Sequence, residues 1–189
     1  MRLAGRQGAQ RGFAVSGLVV GLGVSLWSNG VRADQSCDTS IYPLSTPSSR
    51  FEDHGDGTVT DRLSKLMWMR CSAGQTWSSG RCDGEALDLN WQAAQTTVQE
   101  INQAGKFFFK DWRVPQLPEL ASIAERQCRD PRINLEIFPG TAPTAYWTAT
   151  SRSPEPGAAE AYTLSFGAEG VINSAKTEAH ALRLVRTAP

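Results

Sequence analysis

The chain has 189 residues, of which 40% are hydrophobic, with 19 basic and 19 acidic side chains and four cysteines. A balanced charge gives no strongly basic surface, which argues against nucleic acid as a main partner. The length suits one domain with a sizeable core.

In chain order, Met1 to Ala33 reads as a secretory signal: Arg2, Arg6 and Arg11, an apolar stretch from Phe13 to Trp27, then Val31-Arg32-Ala33 before Asp34. Glycines 17, 21 and 23 and serines 16 and 25 interrupt that stretch, which disfavours the alternative of a membrane anchor. Cleavage after Ala33 removes four arginines and no acid, leaving 15 basic against 19 acidic residues. No later stretch is apolar for long enough to span a bilayer, so the expectation is a secreted or periplasmic protein with no membrane insertion after signal removal.

Residues 34–50, rich in Ser, Thr and Pro, are predicted to be an extended lead-in tied down by Cys37. The folded domain is expected over 51–187. Phe51 to Asp53 and Thr58 to Asp61 read as strands joined by an Asp56-Gly57 turn, and Leu66 to Met69 as the next strand. Asn90 caps a helix with Trp91, Ala94, Val98 and Ile101 on one face, ended by Gly105. A second helix is predicted near Gln116, with Pro118 early in it, Glu119 three residues past the cap, and Leu117, Leu120, Ile123 and Ala124 as its buried stripe. Tyr146 to Thr150, Ala161 to Phe166, Val171-Ile172 and Ala181 to Arg186 complete the strands, an α+β class with an antiparallel sheet.

An even count of cysteines in an oxidising compartment predicts two disulfides, for which three pairings exist. The glycine- and serine-rich segment 72–81 between Cys71 and Cys82 favours a local bridge, leaving Cys37 to meet Cys128. A zinc site is the rival, and no CxxC pair supports it.

Taken together, Phe51-x-Asp53-x-Gly55-Asp56-Gly57-Thr58-Val59-x-Asp61, Leu66-Met67-Trp68, Asp111-Trp112-Arg113-Val114-Pro115 with Glu119-Leu120, Phe138-Pro139, Tyr146 to Thr150 and Arg183-Leu184-Val185-Arg186 resemble the Lcl C-terminal domain family. The resemblance implies a C-type-lectin-like fold: a twisted antiparallel sheet, two helices, and a long irregular loop region bearing the ligand surface. It also implies a bacterial exported protein and, for the collagen-like adhesins of the family, binding of sulfated or other anionic glycans. The sequence departs from the pattern in that Arg62 to Lys65 lacks the glycine usual before Leu66, and no Gly-x-y repeat precedes the domain.

Arg126, Arg129 and Arg132, placed near the end of the second helix, are candidates for gripping a sulfate or carboxylate, since guanidinium meets planar anions bidentately. Their structural alternative, to answer the helix dipole and pair with Glu125 or Asp130, is the favoured reading. Arg152, on the loop from Ser151 to Glu160, is a further candidate. Asp53, Asp56 and Asp61 read either as a calcium loop or as a hairpin whose carboxylates bond local backbone, and the Asp-Gly chemistry favours the hairpin. Trp112, Tyr146 and Trp147 would either stack on sugars or fill the core, and core is favoured. No catalytic motif occurs, so neither enzyme, cofactor nor metal is expected. The expected partner is a glycan or a cell-surface protein. A periplasmic structural or protein-interaction module and a cryptic hydrolase are the rival readings.

Overall fold

The computed structural model describes residues 35–105, 109–153, 155 and 157–189, all within the unit Ala33–Pro189, so the predicted signal lies outside the described residues, as do Phe107 and Phe108. In chain order the elements are β1 (Ser36–Cys37), a 3-10 turn (Ser48–Arg50), β2 (Phe51–Asp53), β3 (Thr58–Asp61), β4 (Leu66–Met69), β5 (Thr76–Ser78), β6 (Arg81–Asp83), α1 (Trp91–Ala104), α2 (Leu117–Ser122), β7 (Cys128–Arg129), β8 (Ala145–Ser151), β9 (Glu160–Ser165), β10 (Val171–Ala175) and β11 (Val185–Thr187). The class is α+β, with antiparallel sheets, two α-helices and two disulfides.

The Asp-Gly signal folds as predicted: β2 pairs with β3 in the register Asp53 to Val59, and Gly55 and Gly57 turn the chain at φ +75° and +96°. Gly57 is irreplaceable for a second reason, because a Cβ there would lie 2.7 Å from the Trp77 side chain. The turn from β3 to β4 ends in Lys65 at φ +58°, the left-handed region that glycine enters freely. β4 continues the sheet to β11, giving the order β11-β4-β3-β2.

A second sheet has the order β10-β9-β8. The last strand segment joins the two sheets: Trp147 donates to the Ala181 carbonyl at 2.9 Å, and four residues later Val185 pairs with Trp68 on β4. Side chains alternate across this framework into two cores. Leu66, Trp68, Tyr146, Leu164, Phe166 and Val185 face one, closed by Leu120 and Ile123. Met67, Met69, Trp147, Leu182 and Leu184 face the other, closed by Ala94 and Val98 of α1. Covering both faces explains why β4 is a continuous apolar run with every residue buried. Asn90 caps α1 by accepting from the Ala93 amide at 2.9 Å, and Gly105 at φ +64° ends it, as the sequence predicts.

Three findings differ from expectation. The predicted last strand, Ala181 to Arg186, is a strand only from Val185, as β11, with Ala181 in an isolated bridge to Tyr146. The second helix stops at Ser122, since the fully buried Ile123 and Ile133 draw the chain into a bridge between Ala124 and Ile133 instead of another turn. The segment between Cys71 and Cys82 contains a hairpin, β5 with β6, turned by Ser79 and Gly80, both at positive φ. The lead-in is tied down by Cys37 as expected, and contributes β1, paired with β7, and the 3-10 turn.

Candidate functional site

The bridge between Ala124 and Ile133 closes a loop of eight residues, 125–132, that carries the three candidate arginines. Its inner side is fixed by Glu125, which is fully buried. The Glu125 carboxylate accepts from the Ser45 amide and hydroxyl, both at 2.9 Å, from the Thr46 amide at 2.7 Å and hydroxyl at 2.8 Å, and from the Gln127 amide at 2.9 Å. Its sequence-predicted role as a partner of the arginines is thus corrected: it accepts from the lead-in and from the Gln127 amide instead. The Glu125 amide donates to the Arg132 carbonyl at 3.0 Å, and the Arg132 amide to the Phe166 carbonyl at 2.6 Å. The Cys37–Cys128 bridge and the pairing of Ser36 with Arg129 hold the outer side.

These restraints place Arg126, Arg129 and Arg132 around one cleft of about 440 Å³, whose opposite wall is Gly167 and Ala168 in the turn after β9. Arg126 and Arg129 are exposed and Arg132 is half-buried. The helix-dipole role is corrected as well, because α2 ends four residues before Arg126. Among the described residues no ion pair engages the three guanidiniums. Two acids lie near. Asp130 lines the cleft, and Asp38, its carboxyl held below the usual range first by the Ser40 hydroxyl and amide, is lowered a little further by Arg129. The arrangement presents several N–H donors with no ion-pair partner among the described residues, which suits an anionic group of sulfate or carboxylate size.

Arg152 is not brought to this cleft. It pairs with Glu160 at 2.9 Å across the ends of the loop from β8 to β9, both side chains exposed. Asp53 accepts from the Gly55 amide and from Arg70, Asp56 from the Thr58 amide and hydroxyl, and Asp61 from Arg50, Ser64 and the Leu63 amide. Each carboxylate therefore bonds its own hairpin or an arginine that staples it. Trp112, Tyr146 and Trp147 lie in the core, at most 2% exposed, so none offers a face to a ligand. All four cysteines are oxidised in pairs, which leaves no thiolate for zinc. The sequence reading missed Gly167 and Ala168 as the facing wall, because nothing local in a Gly-Ala-Glu-Gly turn announces what it packs beside.

Glu125 gives the site a pH dependence. Burial alone would raise its pKa, but hydrogen bonds from Gln127, Ser45 and Thr46 overcome that and lower it from 4.5 to about 2. A carboxylate depressed in the folded state stabilises above its unfolded pKa, and the stabilisation is lost as pH falls from about 5 toward 2. The contribution at neutral pH is on the order of 3 kcal/mol. Urea melts between pH 7 and 2 should show that Glu125→Gln lowers stability at pH 7 by this order and flattens the acid slope. An unchanged slope would contradict the assignment.

Residues 57–186 match the model of a family described as the Lcl C-terminal domain, about two thirds of the chain. No curated protein matches the chain.

Proposed function

The chain belongs to the Lcl C-terminal domain family, and on that premise we propose that it is an exported binding domain of C-type-lectin-like fold that takes an anionic glycan or cell-surface ligand in the arginine cleft. The observation that carries the reading is the convergence of Arg126, Arg129 and Arg132 on one cleft with no ion-pair partner among the described residues. Arginines held in the structure have protein partners, as Arg113 has Glu119 at 2.7 Å, Arg186 has Asp111 at 2.7 Å, and Arg183 has backbone carbonyls and hydroxyls. Because 19 acids outnumber 15 bases beyond the leader, attraction to an anion has to be local. Two disulfides support passage through an oxidising compartment. Among the described residues no helix is long and apolar enough to cross a membrane.

Retention on a sulfated-polysaccharide column tests the proposal. Binding through exposed charges weakens as the Debye length falls from about 10 Å at 0.1 M salt to about 3 Å at 1 M. The wild-type protein should be retained at low salt and released by a gradient. The triple variant Arg126→Ala, Arg129→Ala, Arg132→Ala should bind roughly tenfold or more weakly and elute early. Equal elution would remove the cleft from the account, and no retention of the wild type would refute anionic-glycan binding.

A further inference from the structure

The lead-in makes a short excursion beside the arginine cleft. It leaves at Asp38, whose amide donates to the Gln127 carbonyl at 2.8 Å. It returns at Ser45, whose hydroxyl accepts from the Arg126 amide at 3.0 Å. Both ends are thus anchored on the loop that carries the arginines. The disulfide to Cys128 fixes the entry, and Glu125 fixes the exit through Ser45 and Thr46. At the tip stand Ile41, 77% exposed, and Tyr42, 65% exposed. Three residues of chain span at most about 11 Å, so the Tyr42 backbone stays within that reach of the Ser45 anchor, which the Arg126 amide meets.

Two adjacent large apolar side chains exposed on a tethered loop need a reason, because burying them is favourable. The loop is also held in shape. The Asp38 carboxylate accepts from the Ser40 amide at 3.0 Å and hydroxyl at 2.6 Å, and Pro43 restricts the backbone of Tyr42 to extended conformations. A tyrosine so held offers a flat face at small entropic cost. The C–H face of a pyranose is the complementary surface, and a sugar chain can set that face on the ring while a charged substituent enters the cleft.

We propose that Tyr42 is the stacking platform of the cleft, and that the ligand is an acidic oligosaccharide with its anionic group among Arg126, Arg129 and Arg132 and a neighbouring sugar ring on Tyr42. The proposal rests on the anionic-ligand reading of the cleft and adds a residue outside the family match, which begins at residue 57.

Calorimetric titration with a sulfated hexasaccharide and, separately, with tripolyphosphate tests it on wild type, Tyr42→Ala, Tyr42→Phe and the triple arginine variant. Tyr42→Ala should bind the hexasaccharide roughly tenfold more weakly and tripolyphosphate as the wild type does. Tyr42→Phe should restore the hexasaccharide to within about twofold, since it keeps the ring. If Tyr42→Ala binds the hexasaccharide normally while the arginine variant does not, the platform is refuted and the cleft reading stands. An equal loss toward tripolyphosphate would also refute the platform. A wild type that ignores the hexasaccharide overturns both readings, and Tyr42-dependent binding to anionic phospholipid vesicles in its place would make the loop a membrane contact.

Discussion

Replacing Arg183 by methionine should lower the unfolding free energy by about 3–5 kcal/mol, read as a fall in the urea midpoint at unchanged slope. The side chain is fully buried between the flanking Leu182 and Leu184, yet it points to the opposite core. There the guanidinium donates to the Met69 carbonyl at 2.9 Å, to the Arg70 carbonyl, to the Ser72 hydroxyl at 3.3 Å and to the Thr141 hydroxyl at 2.7 Å. The ring of Phe138 lies 4.9 Å away and that of Tyr146 5.9 Å. No carboxylate is among these partners; carbonyl dipoles, hydroxyls and ring faces replace the water around the two terminal nitrogens, while Nε is buried without a hydrogen-bond partner. Desolvation pulls its pKa down, but guanidinium stays charged because it starts so high. Methionine fills most of the space and relieves the buried charge, but strands two backbone carbonyls in the core, and that term dominates. Lysine should recover only part of the loss, since a single ammonium cannot span the fork. A change below about 1 kcal/mol for methionine would mean that the desolvation of Arg183 cancels its hydrogen bonds.

The two disulfides should differ in worth. Cys37–Cys128 closes a separation of 91 residues and Cys71–Cys82 one of 11. Loop-closure entropy gives about 4–5 kcal/mol for the first and about 3 kcal/mol for the second. Paired serine variants, Cys37→Ser with Cys128→Ser and Cys71→Ser with Cys82→Ser, should therefore rank in that order in chemical denaturation. The first pair has a further consequence, because it frees β1 from β7, and Arg129 is one of the paired residues. Ligand affinity should fall with the long bridge and survive loss of the short one. The reverse order of stability, or equal binding in both variants, would contradict this account.

Much of the fold was legible because its signals are local. The Asp56-Gly57 turn, the Asn90 cap, Gly105 and the alternation around Tyr146 and Trp147 each specify their element without help from distant chain. The failures are where distant packing decides. The apolar stripe after Gln116 runs on through Ile123 and Ala124, but tertiary burial of Ile123 ends the helix early. Leu182-Arg183-Leu184 alternates like a half-exposed strand, yet a second core covers the face that Arg183 points to. At the site, the arginine spacing was visible and its setting was not: Glu125 was within one residue of the cluster in sequence, and its partners, Ser45 and Thr46, are some 80 residues away. Tyr42 had no signal at all, since a tyrosine between isoleucine and proline in a Ser- and Thr-rich segment looks like linker.

The most direct test of the arginine cleft is to follow the protein by NMR as a sulfated hexasaccharide is added. Arginine side-chain N–H signals and backbone amides report contact residue by residue. The account predicts saturable shifts at the guanidiniums of Arg126, Arg129 and Arg132 and at the amides of Gly167 and Ala168, with Arg152 and the Asp53 to Asp61 hairpin unmoved. Shifts centred on Arg152 or on that hairpin, with the three cleft arginines unchanged, would contradict it.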